Sequence, residues 1–328
     1  MTISVVIPTY NAASFIGNAL DSLFWQSRLP DEVIVADDCS RDDTVAIVEQ
    51  MSKSSPVPIR VIRLPANSGG PVGPLNVGFD QAIGEYIATL DQDDIFLPNK
   101  LERQAAILDA CPEASFVFGE SGRVHEPDYE PARRALDTLK TNGAHGKHCL
   151  WATILSGPEL LTALFRFGNF VTGFPGFIFR KVAWTTVRPL DNRLRIAADY
   201  DFLFRLCRLG PAAYVPETHY LRRIHDANMV RFRAQTELEI ARVRHRHWRA
   251  ISSPQLRCAT NDIRQEFLDA SYMAKEIGHF RDGWQCIRMA AAIWGWNCET
   301  LVRGAKLLAN WSFAQIRKPK VVAQVAKV

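Results

Sequence analysis

The sequence predicts an α/β fold, a mainly parallel sheet flanked by helices and followed by a C-terminal helical appendage. Three observations predict it. Over the first 120 residues a short β-rich apolar run, a polar turn and a segment of helical period recur in that order. The runs are apolar throughout, as strands covered by helices on both faces must be. Past Met229 the breakers thin out and long helical patterns take over.

The strand runs are residues 3–7, 33–36, 59–64, 86–90 and 115–118. Between the first two, Phe15, Ile16, Ala19, Leu20, Leu23 and Phe24 share one face at helical period, with Asn11 or Ser14 placed to cap the helix. Ser40 and Asp43 have capping-box spacing before the next helix, and Pro98 is placed to begin the one after the fourth strand. From about 120 to 168, Pro127, Pro131, Gly143, Gly146 and Gly157 interrupt the rhythm; this reads as a long irregular insertion with a helix near 159–165. An apolar run at 176–179, a helix at 199–209 and two short strands at 213–215 and 219–224 follow. Helical periodicity then marks 236–250, 263–277 and 284–294, with Gly278 or Gly283 ending or joining the segments. The expected division is residues 1–230 and a helical region 231–328.

Composition narrows the function. Among 328 residues, 47% are hydrophobic and 23% charged, which excludes a disordered or collagen-like chain. A net charge of +4 is too small for a dedicated nucleic-acid binder. Cysteines 39, 111, 149, 207, 258, 286 and 298 are scattered without a CxxC, so neither a disulfide framework nor a zinc knuckle is expected, and a reducing compartment fits. His145, His148 and Cys149 have poor zinc spacing. No apolar run approaches the ~18 residues of a membrane span, and no charged n-region precedes the first apolar stretch, so a cytoplasmic protein is expected. Residues 222–249 carry eight Arg against three acids, and six Lys or Arg with no acid follow Glu299. These runs read as solvated helix faces or as peripheral contact with anionic lipid at the inner membrane face.

Open parallel sheets bind ligands outside the carboxyl ends of their strands. Pro8-Thr9-Tyr10-Asn11 follows the first run, Asp37-Asp38-Cys39-Ser40 the second and Asp91-Gln92-Asp93-Asp94 the fourth. Each piece alone reads equally as a turn or a cap; their coincidence at one sheet edge does not. Clustered carboxylates repel and welcome a cation, and an all-oxygen set suits Mg²⁺ or Mn²⁺ shared with substrate phosphates. No GxxxxGK[ST] occurs, and Gly69-Gly70-Pro71-Val72-Gly73 does not match GxGxxG, so neither a P-loop NTPase nor a Rossmann dehydrogenase is supported. A metal-bridged nucleotide diphosphate remains.

VVIPTYN (5–11), ADDCSRDDT (36–44), N-x-G (67–69) and GEYIATLDQDD (84–94) stand in an order and spacing that resembles family 2 glycosyltransferases over about residues 1–230. The resemblance implies a GT-A type, Rossmann-like fold with a nucleotide-binding half, 1–120, and an acceptor half, 121–230. It implies Pro8, Thr9, Tyr10, Asn11, Asp37, Asp38 and Asn67 around the nucleoside. It makes Asp91 and Asp93 the D-x-D motif for diphosphate and Mn²⁺ or Mg²⁺, with Asp93 the more direct ligand. Within Ala198-Asp199-Tyr200-Asp201-Phe202 it makes Asp199 the catalytic base. Within Arg223-Ile224-His225 it makes Arg223 a diphosphate contact and His225 a further metal ligand. The implied reaction inverts the anomeric centre while moving a sugar from a nucleotide-diphosphate donor, a UDP-sugar for preference, to a hydroxyl of a glycan or lipid-linked acceptor. Two positions depart from the pattern: Leu75 stands where the family often has Arg before Asn76, and Ala198 replaces the usual Glu. The rival is a catalytically silent protein that binds nucleotide sugar or an anionic surface; intact Asp93 and Asp199 favour the enzyme.

Overall fold

Apolar runs covered on both faces become the central strands. β1 (Ile3–Thr9), β2 (Glu32–Asp37) and β4 (Tyr86–Thr89) are buried at every position, whereas β3 (Ile59–Arg63), at the sheet margin, exposes both its arginines. The structure, a computed structural model, describes residues 1–123, 148–225, 233–248, 267–272, 280–294 and 303. Its sheet adds β5 (Ile95–Phe96), β6 (Phe116–Arg123), β7 (His148–Cys149), β8 (Ala152–Leu155), β9 (Phe177–Arg180) and β10 (Ala212–Arg222). The order is β3-β2-β1-β4-β9-β6-β10-β8-β7, with β5 paired to β10. β1 to β4, β6, β7 and β10 run one way and β5, β8 and β9 run against them, so the sheet is mainly parallel as expected.

Side chains alternate across each strand and sort into two cores. Val5, Ile7, Val33 and Val35 pack with α1 (Ile16–Phe24), α2 (Thr44–Ser52) and α4 (Lys100–Ala110). On the other face, Val6 meets α3 (Val72–Gln81), where a Cβ on Gly78 would stand 2.3 Å from Val6 Cγ1. Phe79 of α3 opens an aromatic cluster with Phe174, Phe179, Trp184 and Phe202, drawn from β9, α6 (Lys181–Val187), α7 (Ala198–Leu206) and the loop before β9. Because Val6 is fully buried and cannot retreat, Gly78→Ala is expected to cost about 1–3 kcal/mol by overpacking, read as a lower urea midpoint at unchanged m.

Several local expectations give way to tertiary context. The N-cap of α1 is Phe15 and no side chain caps it; Asn11 instead accepts from the Arg41 N–H at 2.9 Å, and Ser14 makes no cap. The cap residue of α2 is Asp43, again without a cap bond, since Asp42 takes the Thr44 N–H. α4 begins at Lys100, after Pro98 rather than at it. The insertion is more regular than its composition suggests: β6 runs on to Arg123, and a β7–β8 hairpin leads into α5 (Gly157–Phe167), closed by a reciprocal Ser156–Glu159 capping box. The two strands expected at 213–215 and 219–224 are one strand, β10, whose register shifts between Val215 and Tyr220 break its alternation.

One expectation is overturned outright. Cys111, just after α4, is disulfide-bonded to Cys149 in β7, with Cα atoms 6.7 Å apart. The strand order brings together residues 38 apart in sequence, which no spacing rule reveals. The bridge removes Cys149 from any zinc set and removes the cysteine argument for a reducing compartment.

Residues 1–231 form one compact unit and 232–328 a second. Within the second, α8 (Arg233–Trp248) packs with α9 (Phe280–Trp294), and residues 267–272 are helical. Gly283 lies inside α9 and is no boundary. Gly278, most of the helix expected at 263–277 and the basic segment beyond 303 lie outside the described residues. Among the described residues no helix is long and apolar enough to cross a membrane.

Candidate active site

Strand order reverses at β1, with β2 and β3 on one side and β4 on the other, so the crevice opens at the carboxyl ends of β1 and β4. Gln92, after β4, ties the two ends together: its Oε1 accepts from the Tyr10 N–H at 2.7 Å. Tyr10 itself is 43% exposed at the mouth, and Asn11 is exposed beside it at φ +49°. Pro8 and Thr9 are buried in the β1–β2 ladder, where the Thr9 hydroxyl donates to Ala36 O at 3.3 Å.

The two aspartates after β2 do different work. Asp37 is fully buried, its Oδ2 accepting from the Ser40 N–H at 3.0 Å with Arg63 Nε at 3.4 Å, and so braces the loop. Asp38 grips the loop before α3. Its Oδ1 accepts from the Ser68 N–H at 2.8 Å, its Oδ2 from the Ser68 hydroxyl at 3.0 Å, and its carbonyl from Asn67 Nδ2 at 2.9 Å. Gly69, at φ +82°, completes that turn in a conformation that favours glycine.

The acidic turn after β4 meets the end of β10. β5 pairs antiparallel with β10, which brings Asp94 under Arg223, whose N–H donates to Asp94 Oδ1 at 3.0 Å. Arg223 Nε donates to Asp93 O at 3.1 Å, and His225 Nε2 lies 2.8 Å from Asp93 Oδ2. Phe15 stacks on the His225 ring at 4.7 Å and lies under the Arg223 guanidinium at 5.6 Å, fixing both from the β1 side. Burial and the neighbouring Asp93 push Asp94 up to about 7; burial, then Asp94 and Asp93, push Asp91 up as well. Burial and like charge thus both oppose full ionisation of this turn, while Arg222 and Arg223 favour it.

Asp199 enters from α7. The N-cap is Ala197, so Asp199 sits inside the first turn, and its Oδ1 accepts from the Tyr200 N–H at 2.7 Å. Its Oδ2 accepts from Asn169 Nδ2 at 2.6 Å. Burial pushes its carboxyl up to about 6 against those two hydrogen bonds. A Cβ on Gly173 would lie 3.9 Å from both Asp199 Oδ2 and Tyr220 Oη, so the loop before β9 closes over the carboxylate. Thr172 in that loop takes φ +59°, a conformation that β-branched residues avoid, and is held by hydrogen bonds to Ser121 and Tyr220. The neighbouring Asp201 is engaged by Arg205 at 3.1 Å, one turn on.

The structure therefore gathers Asp38 with Asn67 at the β2 end of the crevice and Asp93 with Arg223 and His225 beyond β4, with Tyr10 between them, tied to Gln92 of the acidic turn. Asp199 stands close enough to add to the charge pressure on Asp91. Sequence reasoning missed Asn169, Asp94 as the brace for Arg223, and Phe15 as the platform for His225. Asp94 carried a signal as the fourth residue of the acidic turn; Asn169 carried none.

Residues 4–185 match the family described as Glycosyl transferase family 2. A glycosyltransferase of Nostoc sp. (strain PCC 7120) is 30% identical over 70% of this chain and 66% of its own length. The succinoglycan biosynthesis protein ExoO of Rhizobium meliloti (strain 1021) is 39% identical over 70% of this chain and 62% of its own length. The chain thus aligns with less than two thirds of either relative. Among solved structures, S. aureus TarS 1-349 in complex with UDP-GlcNAc superposes with a TM-score of 0.57 at 19% identity, covering 96% of this chain and 92% of that one. The mannosyltransferase PcManGT of Pyrobaculum calidifontis, in complex with GDP-Man and Mn²⁺, gives 0.58 at 16% identity, covering 97% and 81%. These two share the fold, and with the match over residues 4–185 the conclusion is that the chain belongs to glycosyl transferase family 2.

Proposed function

We propose that this chain is an inverting glycosyltransferase of cell-surface polysaccharide synthesis, moving a sugar from a nucleotide diphosphate to a hydroxyl of a glycan or lipid-linked acceptor. The observation that carries this reading is Asp199, a buried carboxyl pushed up to about 6 on the same sheet edge as the Asp93–His225 pair and Arg223. Relatives named for succinoglycan biosynthesis and for poly(ribitol-phosphate) β-N-acetylglucosaminyl transfer support the acceptor class, and the UDP-GlcNAc complex of TarS supports a UDP-sugar. The cytoplasmic side, where nucleotide sugars are available, is the proposed place of action, with the basic C-terminal segment a proposed contact with anionic lipid.

The residues divide the work. Asp38, Asn67 and Tyr10 shape the nucleoside end, and Arg223 meets the diphosphate. Asp199 takes the proton of the acceptor hydroxyl as its oxygen attacks the anomeric carbon from the face opposite the leaving diphosphate, inverting the configuration. A carboxyl near 6 is better matched to that task at neutral pH than an ordinary one near 4.

Mn²⁺ or Mg²⁺ fits the acidic turn. Such ions are held through one or two carboxylates plus substrate phosphates, and the Asp93 carboxylate with His225 Nε2 2.8 Å away offers such a partial set. Asp93 and His225 would hold it, with Asp91 behind, and when bound it would neutralise charge on the departing diphosphate.

Adding UDP-GlcNAc or a related UDP-sugar with Mn²⁺ is expected to raise Tm, ligand at 100 times Kd being worth about 2.7 kcal/mol. Slow release of UDP without acceptor is expected alongside. No stabilisation and no release across uridine and guanosine donors would defeat the reading.

Asn169 gives a finer test. Its amide favours the ionised Asp199, so Asn169→Ala is expected to raise the carboxyl above about 6. The acid limb of the kcat–pH profile should move to higher pH while donor affinity holds; an unmoved limb would remove Asn169 from the site.

A further inference from the structure

We propose that Arg195 reads the nucleobase of the donor, favouring uracil or guanine over cytosine or adenine; this rests on the glycosyltransferase reading above. The loop before α7 is fastened to α3 at two points, Arg188 Nη1 donating to Asp80 Oδ1 at 3.1 Å and Asn76 holding the loop further on. Asn76 Nδ2 donates to Leu190 O and to Asn192 Oδ1, each at 3.2 Å, while its Oδ1 accepts from the Leu190 N–H at 2.8 Å. Within the loop, Arg193 is consumed by Asp191, with two guanidinium contacts at 2.9 Å.

Arg195, two residues on, is exposed and has no hydrogen bond or ion pair among the described residues. Its position is nevertheless defined by packing. A Cβ on Gly69 would stand 3.2 Å from Arg195 Nη2, and one on Gly70 would stand 3.7 Å from its Cγ, so the two glycines leave the side chain room to lie along their backbone.

The turn beneath Arg195 is the one whose Asn67 and Ser68 hold Asp38. That places the guanidinium over the β2–β3 end of the crevice. The diphosphate end, at Asp93, Arg223 and His225, lies beyond β1 at the end of β4. Leu75, which stands where the family often has Arg, is fully buried, so no cation reaches this end from that position.

A guanidinium has five donors and no acceptor, so its partner must offer acceptor oxygens or nitrogens. With phosphate bound at the other end, the acceptors within its reach are those of the base. Uracil and guanine present a carbonyl where cytosine and adenine present an amino group, which would set donor against donor. The O6 and N7 atoms of guanine and the O4 atom of uracil are the matching acceptors, since the O2 carbonyl is common to uracil and cytosine.

The test is calorimetry of UDP, GDP, CDP and ADP with Mn²⁺ on wild type, Arg195→Met and Arg195→Lys, with Tm as the folding control. Wild type should bind UDP or GDP at least about tenfold more tightly than CDP and ADP, a ratio in the range of one good guanidinium–base contact. Arg195→Met should lose about tenfold for the preferred nucleotide and lose the discrimination at unchanged Tm. Arg195→Lys, charged but without the planar fork, should stay close to the Met variant. A Met variant that binds and discriminates like wild type overturns the assignment of Arg195 and leaves the glycosyltransferase reading standing. Wild type that binds none of the four overturns both.

Discussion

Asp199→Asn is expected to lower kcat by about 10² to 10⁴ while donor affinity and Tm stay near wild type. The substitution keeps shape and removes only the ability to take a proton. Its amide also finds a partner. Asn169 Oδ1 is buried without a hydrogen bond, so a turned Asn169 amide offers that oxygen to the new Nδ2. The charge is no stabiliser either. A carboxyl at about 6 when folded and near its ordinary 3.8 when unfolded binds more protons in the folded state, so stability falls as pH rises through that window. Removing the charge relieves this cost, and Tm at neutral pH should hold or rise. Wild-type kcat should climb with pH through about 6 and level above it, because the base works only when ionised. The variant's residual activity should lack that limb. Near-normal turnover in Asp199→Asn would reduce the residue to an acceptor for the Tyr200 N–H. Asp201 is a poor substitute as base, since Arg205 already holds its carboxylate.

What could be read from the chain and what could not divide by the range of the interaction. β1, β2 and β4 are legible because burial on both faces writes an unbroken apolar run into a few consecutive residues. The residues after each run are legible as site candidates because the carboxyl edge of a parallel sheet collects them whatever the helices do. Asp38 and Asp37 look alike in sequence and part only in space: one faces a loop 30 residues on, through Ser68, and the other is sealed against Arg63. Cys111 and Cys149 meet only because the β7–β8 hairpin packs against the core on the face that carries α4. Asn169 reaches Asp199 from a loop with no motif, and Arg195 is marked only by the glycines it rests on. The single strand β10 reads as two in sequence because its register shifts interrupt the alternation that identifies a strand.

Asp93→Asn is expected to abolish most of the Mn²⁺-dependent gain in nucleotide-diphosphate affinity, a loss on the order of 10- to 100-fold or more for a direct ligand. Asp93 is the best placed of the acidic turn for this role. Its Oδ2 stands 2.8 Å from His225 Nε2, so the two side chains would hold a Mn²⁺ or Mg²⁺ together. Asp94, by contrast, is spent on the Arg223 N–H. Asn at 93 keeps the side-chain volume and leaves the backbone acceptor of Arg223 Nε in place. The β5–β10 clasp and Tm should therefore be preserved, and affinity without metal should change little. Calorimetry of UDP with and without Mn²⁺, on wild type and Asp93→Asn, separates the cases. Loss of the difference between the two titrations assigns the ion to Asp93. A variant that keeps the full Mn²⁺ gain would move the ion away from this turn and leave the Asp93–His225 contact a structural pair.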